Sequence, residues 1–254
     1  MTWRTKRQIK YLAAFFIFLS LIFYLMYFLV KSKDVDICSN GVKDKVEIGI
    51  DCGGICPPCE LKNFKPLKIY PTKFLQYGNK IDILGFIENP NENLALKNLR
   101  YYFEIYDEVG NLKEKTKERS TIIEPNEKRY LTELNYPISD FKIEKIILKI
   151  IEPSKKDWLS LSYQEIQVSY YNFKVKKEMA KTKINLTLFN QSYYDYNNLE
   201  IILLLYKGND LVLINKTIVS LKAEENKEIS FFIPEEVSNF TDFYVHIQRS
   251  FLSE

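Results

Sequence analysis

Twenty consecutive uncharged residues, Tyr11 to Val30 (YLAAFFIFLSLIFYLMYFLV), constrain this chain more than any other feature. As an α-helix the run rises about 30 Å, the thickness of a hydrocarbon core, with apolar side chains on every face. Such a helix suits a bilayer better than one side of a soluble core. A cleaved leader has a shorter apolar region followed by small residues, and Phe28-Leu29-Val30-Lys31-Ser32-Lys33 supplies no such site. Nor does Val35-Asp36-Ile37 before Cys38 look like a lipoprotein signal. The reading is a retained signal anchor: residues 1–10 form a basic cytoplasmic tail and residues 11–30 a single transmembrane helix in the lipid bilayer. Arg4, Lys6, Arg7 and Lys10 precede the run without an acid, while Lys31, Lys33, Asp34 and Asp36 follow it. The positive excess puts the N-terminus in the cytoplasm and residues 31–254 outside the cell membrane. Trp3, Tyr11, Tyr27 and Phe28 fall where aromatic side chains line the two interfaces.

Charge narrows the function classes. Setting aside the four basic residues of the leader, 32 of the 36 Lys and Arg face 33 acids in residues 31–254, with both signs interspersed. That balance leaves no nucleic-acid footprint. The single His, His246, excludes a His pair for a catalytic metal, so any Ser/His/Asp or Cys/His relay depends on that one residue. There is no Gly-rich phosphate loop and no nucleophile elbow. The expectation is a protein that is not an enzyme. The rival is a metal-dependent envelope enzyme built on an acidic cluster such as Asp107 and Glu108.

All four cysteines lie in one segment, Cys38 to Cys59 (CSNGVKDKVEIGIDCGGICPPC), with Gly41, Gly49, Gly53 and Gly54, half of the eight glycines. A segment too short for a hydrophobic core, rich in turn residues and exported, is held by disulfides. If Pro57-Pro58 is extended, three steps cover about 9 Å, beyond the roughly 7 Å that a disulfide allows between Cα atoms. Cys38 and Cys52 then each cross to one of Cys56 and Cys59, in an order the sequence leaves open. A four-cysteine zinc site and a Cys56-Pro57-Pro58-Cys59 redox pair are the rivals. Zinc sites normally use two Cys-x2-Cys knuckles, and a redox motif sits in a βαβ frame that this chain lacks. Asp44, Glu47 and Asp51, with Asn40 nearby, offer oxygens to calcium, or hydrogen-bond acceptors to local turns.

This segment, Cys-x-Asn-Gly-x2-Asp-x2-Glu-x-Gly-x-Asp-Cys-Gly-Gly-x-Cys-x2-Cys, resembles a Cys-rich module found just outside the membrane helix in many uncharacterised prokaryotic envelope proteins. Asn40 stands where that module more often has Asp, and Asp44 where it more often has Asn. The resemblance implies location and architecture, a Cys-rich module over residues 36–60.

From residue 67 onward, after a linker Glu60 to Pro66, short β-branched and aromatic runs alternate with turn residues, an all-β pattern. Tyr101, Phe103 and Ile105 occupy alternate positions of one strand, Glu108-Val109-Gly110-Asn111 makes a hairpin turn, and Pro125-Asn126-Glu127 another turn. About a hundred residues later the grammar returns: Asn89 with Asn190, Asn98-Leu99 with Asn198-Leu199, Tyr106 with Tyr206, Gly110-Asn111 with Gly208-Asn209, and Asn126 with Asn226. This predicts two tandem β-sandwiches, residues 67–153 and 161–254, with a boundary near Ser154 to Ser160; one continuous sandwich is the rival. Phe103-Glu104-Ile105-Tyr106-Asp107, preceded by Gly85-x3-Asn89-Pro90-Asn91, resembles the Phe-x-Leu-Tyr-Asp motif of FxLYD-type domains, with Ile105 in place of Leu. That likeness implies two tandem immunoglobulin/fibronectin-like β-sandwiches of the cell envelope, of largely unknown role.

Ile201 to Tyr206 is apolar on both faces, which singles out Ile202 and Leu204 as a candidate interface with a partner domain or protein. Asn185, Asn190, Asn215 and Asn239 begin Asn-x-Ser/Thr triplets, which chance explains in a chain rich in Asn and hydroxyl residues. The expected protein is a single-pass envelope protein with a structural or interaction role, its sandwiches binding an unknown envelope protein or surface ligand. The alternative is an accessory subunit of a secretion or pilus assembly.

Overall fold

The computed structural model describes residues 3–31, 37–178, 181–234, 237 and 239–251. It separates into two compact units, Met1–Cys59 and Glu60–Glu254.

The first unit begins with helix α1 (Trp3–Lys31). The helix starts ahead of the apolar run because Arg4, Lys6, Arg7, Gln8 and Lys10 are good helix formers and nothing interrupts them. Leu21 to Tyr27 are exposed without a break, so no face of this stretch is covered by protein. The 18 residues Lys10–Tyr27 are long and apolar enough to cross a membrane. The disulfide-linked segment that follows is described with the site.

The second unit is built of antiparallel strands. The first part contains β1 (Lys68–Ile69), β2 (Lys73–Tyr77), β3 (Lys80–Glu88), β4 (Leu94–Asp107), β5 (Leu112–Lys115), β6 (Arg119–Ile123), β7 (Lys128–Pro137), β8 (Ile143–Ile150) and β9 (Trp158–Ser160). The second contains β10 (Val168–Glu178), β11 (Lys181–Asn190), β12 (Tyr196–Lys207), β13 (Asp210–Leu221), β14 (Asn226–Pro234) and β15 (Asp242–Arg249). In the first part β3 carries β1 and β2 along one edge and β7 along the other. Facing it, the 14-residue β4 carries β5 and β6 on one edge and β8 and β9 on the other. In the second part β11 lies between β10 and β14, and β12 between β13 and β15.

Each pair of sheets encloses its own core, and alternation decides which side chains enter it. Leu99, Tyr101, Phe103 and Ile105 point from β4 onto Ile81, Ile83 and Ile87 of β3. Leu199, Ile201, Leu203 and Leu205 point from β12 onto Ile184, Leu186 and Leu188 of β11. The alternate β12 residues cannot face water either. Ile202 and Leu204 are fully buried, with Ile214, against Leu84, Leu75 and Tyr130 of the first part. Four sheets therefore lie in successive layers, and the cover expected over Ile202 and Leu204 is the chain's own β2–β3–β7 sheet.

Two buried asparagines hold equivalent corners. Asn89 Nδ2 donates to the carbonyls of Leu94 at 2.6 Å and Glu124 at 2.8 Å, while Oδ1 accepts the Asn91 N–H. Asn190 Nδ2 donates to Tyr194 O at 2.7 Å and Lys222 O at 2.8 Å, while Oδ1 accepts the Ser192 N–H. The expected match of Asn126 with Asn226 is corrected. Asn126, at φ 52°, donates to Asn91 O; the residue in that role in the second part is Glu224, at φ 57°, donating to Ser192 O. Asn226 sits on β14 opposite Phe189. The path from corner to turn is shorter in the second part, so a constant offset fails there.

The segments read as linker and boundary are both docked on the first sandwich. Trp158 is 4% exposed in its core, meets Phe64 edge-on at 4.9 Å, and β9 pairs with Leu94 to Leu96 of β4. Asn91 bonds both the N–H and the carbonyl of Lys65 at 2.8 Å. Of the Asn-x-Ser/Thr residues, Asn190 is fully buried and Asn185, 8% exposed, donates to Glu228 at 2.7 Å, whereas Asn239 is exposed.

Candidate functional site

Two places concentrate polar and sulfur chemistry: the disulfide collar of the first unit and the seam between the sandwiches of the second.

In the collar Cys38 pairs with Cys56 and Cys52 with Cys59, with Cα separations of 5.4 and 4.8 Å. The crossing of Cys38 and Cys52 to the Cys56–Cys59 pair is as expected, and the order the sequence left open is settled. The sulfurs are thus committed to one another rather than to zinc or to thiol exchange. The three carboxylates named for calcium serve the backbone. Glu47, 7% exposed, accepts the N–H groups of Asp44 and Asp51 at 3.0 and 3.2 Å. Asp51 accepts the Gly41 N–H at 3.0 Å, and Asp44 accepts from Asn40 Nδ2 at 2.7 Å. Among the described residues the one trio of ligand-type atoms within 4.8 Å is Cys38, Glu47 and Cys56, two of which are the sulfurs of a disulfide. Asp44, Glu47 and Asp51 therefore meet neighbouring amides, not a common point. Asp107 and Glu108, the acidic pair considered for an enzyme, are also engaged: Asp107 accepts from Val109 and Asn111 in the hairpin turn, and Glu108 pairs with Lys142 at 2.5 Å.

The seam combines an apolar centre with a polar rim. Gln248 on β15, 2% exposed, accepts the Tyr130 N–H at 3.0 Å and donates to the Tyr130 carbonyl at 3.0 Å and to Glu200 at 2.6 Å. Its side-chain amide thereby completes the edge of β7 that β3 leaves unpaired. Arg129, 2% exposed, donates to the Arg249 carbonyl at 3.0 Å and pairs with Glu127 at 2.6 Å. Arg249 in turn pairs with Glu124. Burial pushes the Glu127 carboxyl up, an effect that outweighs the opposing Arg129 charge. A cavity of about 290 Å³ opens at this rim, lined among others by Tyr101, Arg119, Arg129, Glu200, Lys216 and Gln248. Two of its cations are paired, Lys216 with Glu200 at 2.9 Å and Arg119 with Glu133 beside the cavity. Sequence reading missed Gln248 and Arg129, because nothing local marks a side chain that bonds across more than a hundred residues.

His246 lies in the same seam, 4.9 Å from the Tyr130 ring, with Nε2 buried and without a hydrogen-bond partner. Burial, and then the Arg129 charge, lower its pKa from 6.5 to about 4. The unfolded chain binds a proton below pH 6.5 that the folded chain refuses. Stability is therefore fully present above that pH and falls as the pH drops toward 4, by about 3 kcal/mol in all. Denaturant titrations at pH 7 and pH 4 should give a difference smaller by that amount in His246→Gln. An unchanged difference would remove the buried imidazole from the account.

No family model matches the chain, and no curated protein matches it. Among solved structures, red sea bream transglutaminase aligns at 13% identity and TM-score 0.23, over 71% of this chain and 31% of that one, so the chain spans less than a third of that protein. The N-terminal CBM22-1–CBM22-2 tandem domain of Xyn10C from Paenibacillus barcinonensis aligns at 8% identity and TM-score 0.17, over 72% of this chain and 83% of that one. Similarity at this level leaves the function to the chain's own geometry.

Proposed function

We propose that this is a single-pass envelope protein, anchored in the cell membrane by residues 11–30 with its N-terminus in the cytoplasm. Its extracytoplasmic part is a disulfide collar and two immunoglobulin-like sandwiches that arose as copies of one another. Its work is structural or recognitional rather than catalytic, with an envelope protein or surface ligand bound through sheet edges and loops. The observation that carries the reading is α1: apolar, exposed on every side along Leu21 to Tyr27, and joined to an all-β remainder. The matched Asn89 and Asn190 corners support the two-copy reading, and the Cys38 to Cys59 pattern supports kinship with membrane-proximal Cys-rich modules. Two disulfides fit an oxidising compartment outside the membrane.

The test is labelling of intact cells with a membrane-impermeant maleimide. Labelling should appear only after mild reduction, as all four cysteines are paired and outside. Labelling that requires lysis would reverse the orientation and the compartment together.

A further inference from the structure

The collar is patterned inside out. Along Val46-Glu47-Ile48-Gly49-Ile50, a run of turns and bends, exposed and less exposed residues alternate. Here the polar member faces inward: Glu47 is 7% exposed, and its Oε1 lies 3.3 Å from Cys56 Sγ. Gly49 also faces the sulfurs, since a Cβ there would meet Cys52 Sγ at 2.9 Å and Cys59 Sγ at 3.1 Å. The aliphatic members point out, with Val46 46%, Ile48 72% and Ile50 52% exposed. Ile55, 69% exposed, follows directly on the Gly53-Gly54 turn, which lies against Val46 and Ile48. With no core to enter, these side chains give the collar an apolar outer surface.

We infer that this aliphatic surface of the collar rests in the interfacial layer of the bilayer that α1 crosses. This rests on the anchor reading above. The chain itself selects the occupant. From Lys31, the end of α1, to Ile37, where the collar begins, there are six residue steps, which span at most about 20 Å. The collar is therefore tethered within reach of the headgroup layer, which is several ångströms thick on each side. Charge agrees. The acids Asp44, Glu47 and Asp51 are turned onto the collar's own amides, whereas Lys43 and Lys45 are exposed, the sign that anionic headgroups attract. Apolar side chains with neighbouring lysines are the composition of an interfacial anchor.

The experiment uses the full chain in nanodiscs of phosphatidylcholine and phosphatidylglycerol. A photoreactive benzoylphenylalanine is placed in turn at Ile48, Ile55, Phe18 and Val109, and adducts are identified by mass after irradiation. Val109, 85% exposed in the β4–β5 hairpin, is the solvent control, and Phe18 reports the anchor. Each variant is first checked for both native disulfides, which exposed positions should leave intact. Lipid adducts at Ile48, Ile55 and Phe18 but not at Val109 are expected. Lipid adducts at Phe18 alone would overturn the collar inference while leaving the anchor standing, as would Ile48 and Ile55 adducts to protein, whether the same chain or a second copy. Absence of lipid adducts at Phe18 would overturn the anchor reading, and the inference with it.

Discussion

An Ile202→Asp substitution is expected to destabilise the Glu60–Glu254 unit by more than about 5 kcal/mol, enough to unfold a typical domain. Ile202 is fully buried between β12 and the first sandwich, beside Leu204, Ile214 and Leu84. Truncating such a side chain alone costs about 2–5 kcal/mol, and a buried carboxylate in its place adds a desolvation penalty, since Lys216 across the ladder is already paired with Glu200. The comparison is Ile218→Asp on the neighbouring β13, where the side chain is 41% exposed opposite Glu200 and the expected cost is about 1–2 kcal/mol. Denaturant unfolding followed by circular dichroism separates the two. Because the seam joins the two cores, the parent should lose both sandwiches in one transition. If Ile202→Asp behaved like Ile218→Asp, the seam would not be a packed interface.

The second large effect belongs to the collar. In Gly54→Ala the added Cβ would lie 1.9 Å from the Val46 carbonyl oxygen, with the backbone at φ +67°. Neither backbone segment can yield without moving a disulfide, so native pairing should fail rather than merely weaken. Peptide mapping under non-reducing conditions should find Cys38–Cys56 and Cys52–Cys59 in the parent and mixed or reduced species in the variant. Losing a native disulfide from so small a module costs about 2–5 kcal/mol, which little else in the collar replaces. Recovery of both native bonds in Gly54→Ala would mean that the Val46 carbonyl does not lie where the close approach requires.

How far these features are legible in the sequence depends on whether their cause is local. The alternation of Tyr101, Phe103 and Ile105 places their side chains in a core, and the prolines between Cys56 and Cys59 disfavour the pairing that is indeed not formed. The apolar run at Ile201 to Tyr206 announces that both faces of β12 need cover. Which surface supplies it is not a local matter: Leu84 and Tyr130 reach Ile202 and Leu204 only after two separate sandwiches have formed. The same holds for Gln248, an ordinary polar residue of an edge strand until the free edge of β7 is beside it. Trp158 reads as part of a boundary because the residues around it are charged and turn-forming; its indole instead fills the first core. The Asn89 and Asn190 corners can be paired in the sequence because both bond the residues two and four or five positions on, whereas Asn126 and Glu224 are separated from them by paths of different length.

Layering has a consequence for reach. Sheets packed face to face are spaced about 10 Å apart, so four layers occupy roughly 30 Å between the outermost backbones. Two sandwiches joined end to end would instead extend along the strands, and a flexible joint would let them sweep a volume. Here the joint has been replaced by Leu84, Ile202, Leu204 and Gln248, and the result is a block in place of a stalk. The loops of one sandwich are then held at a fixed bearing to those of the other.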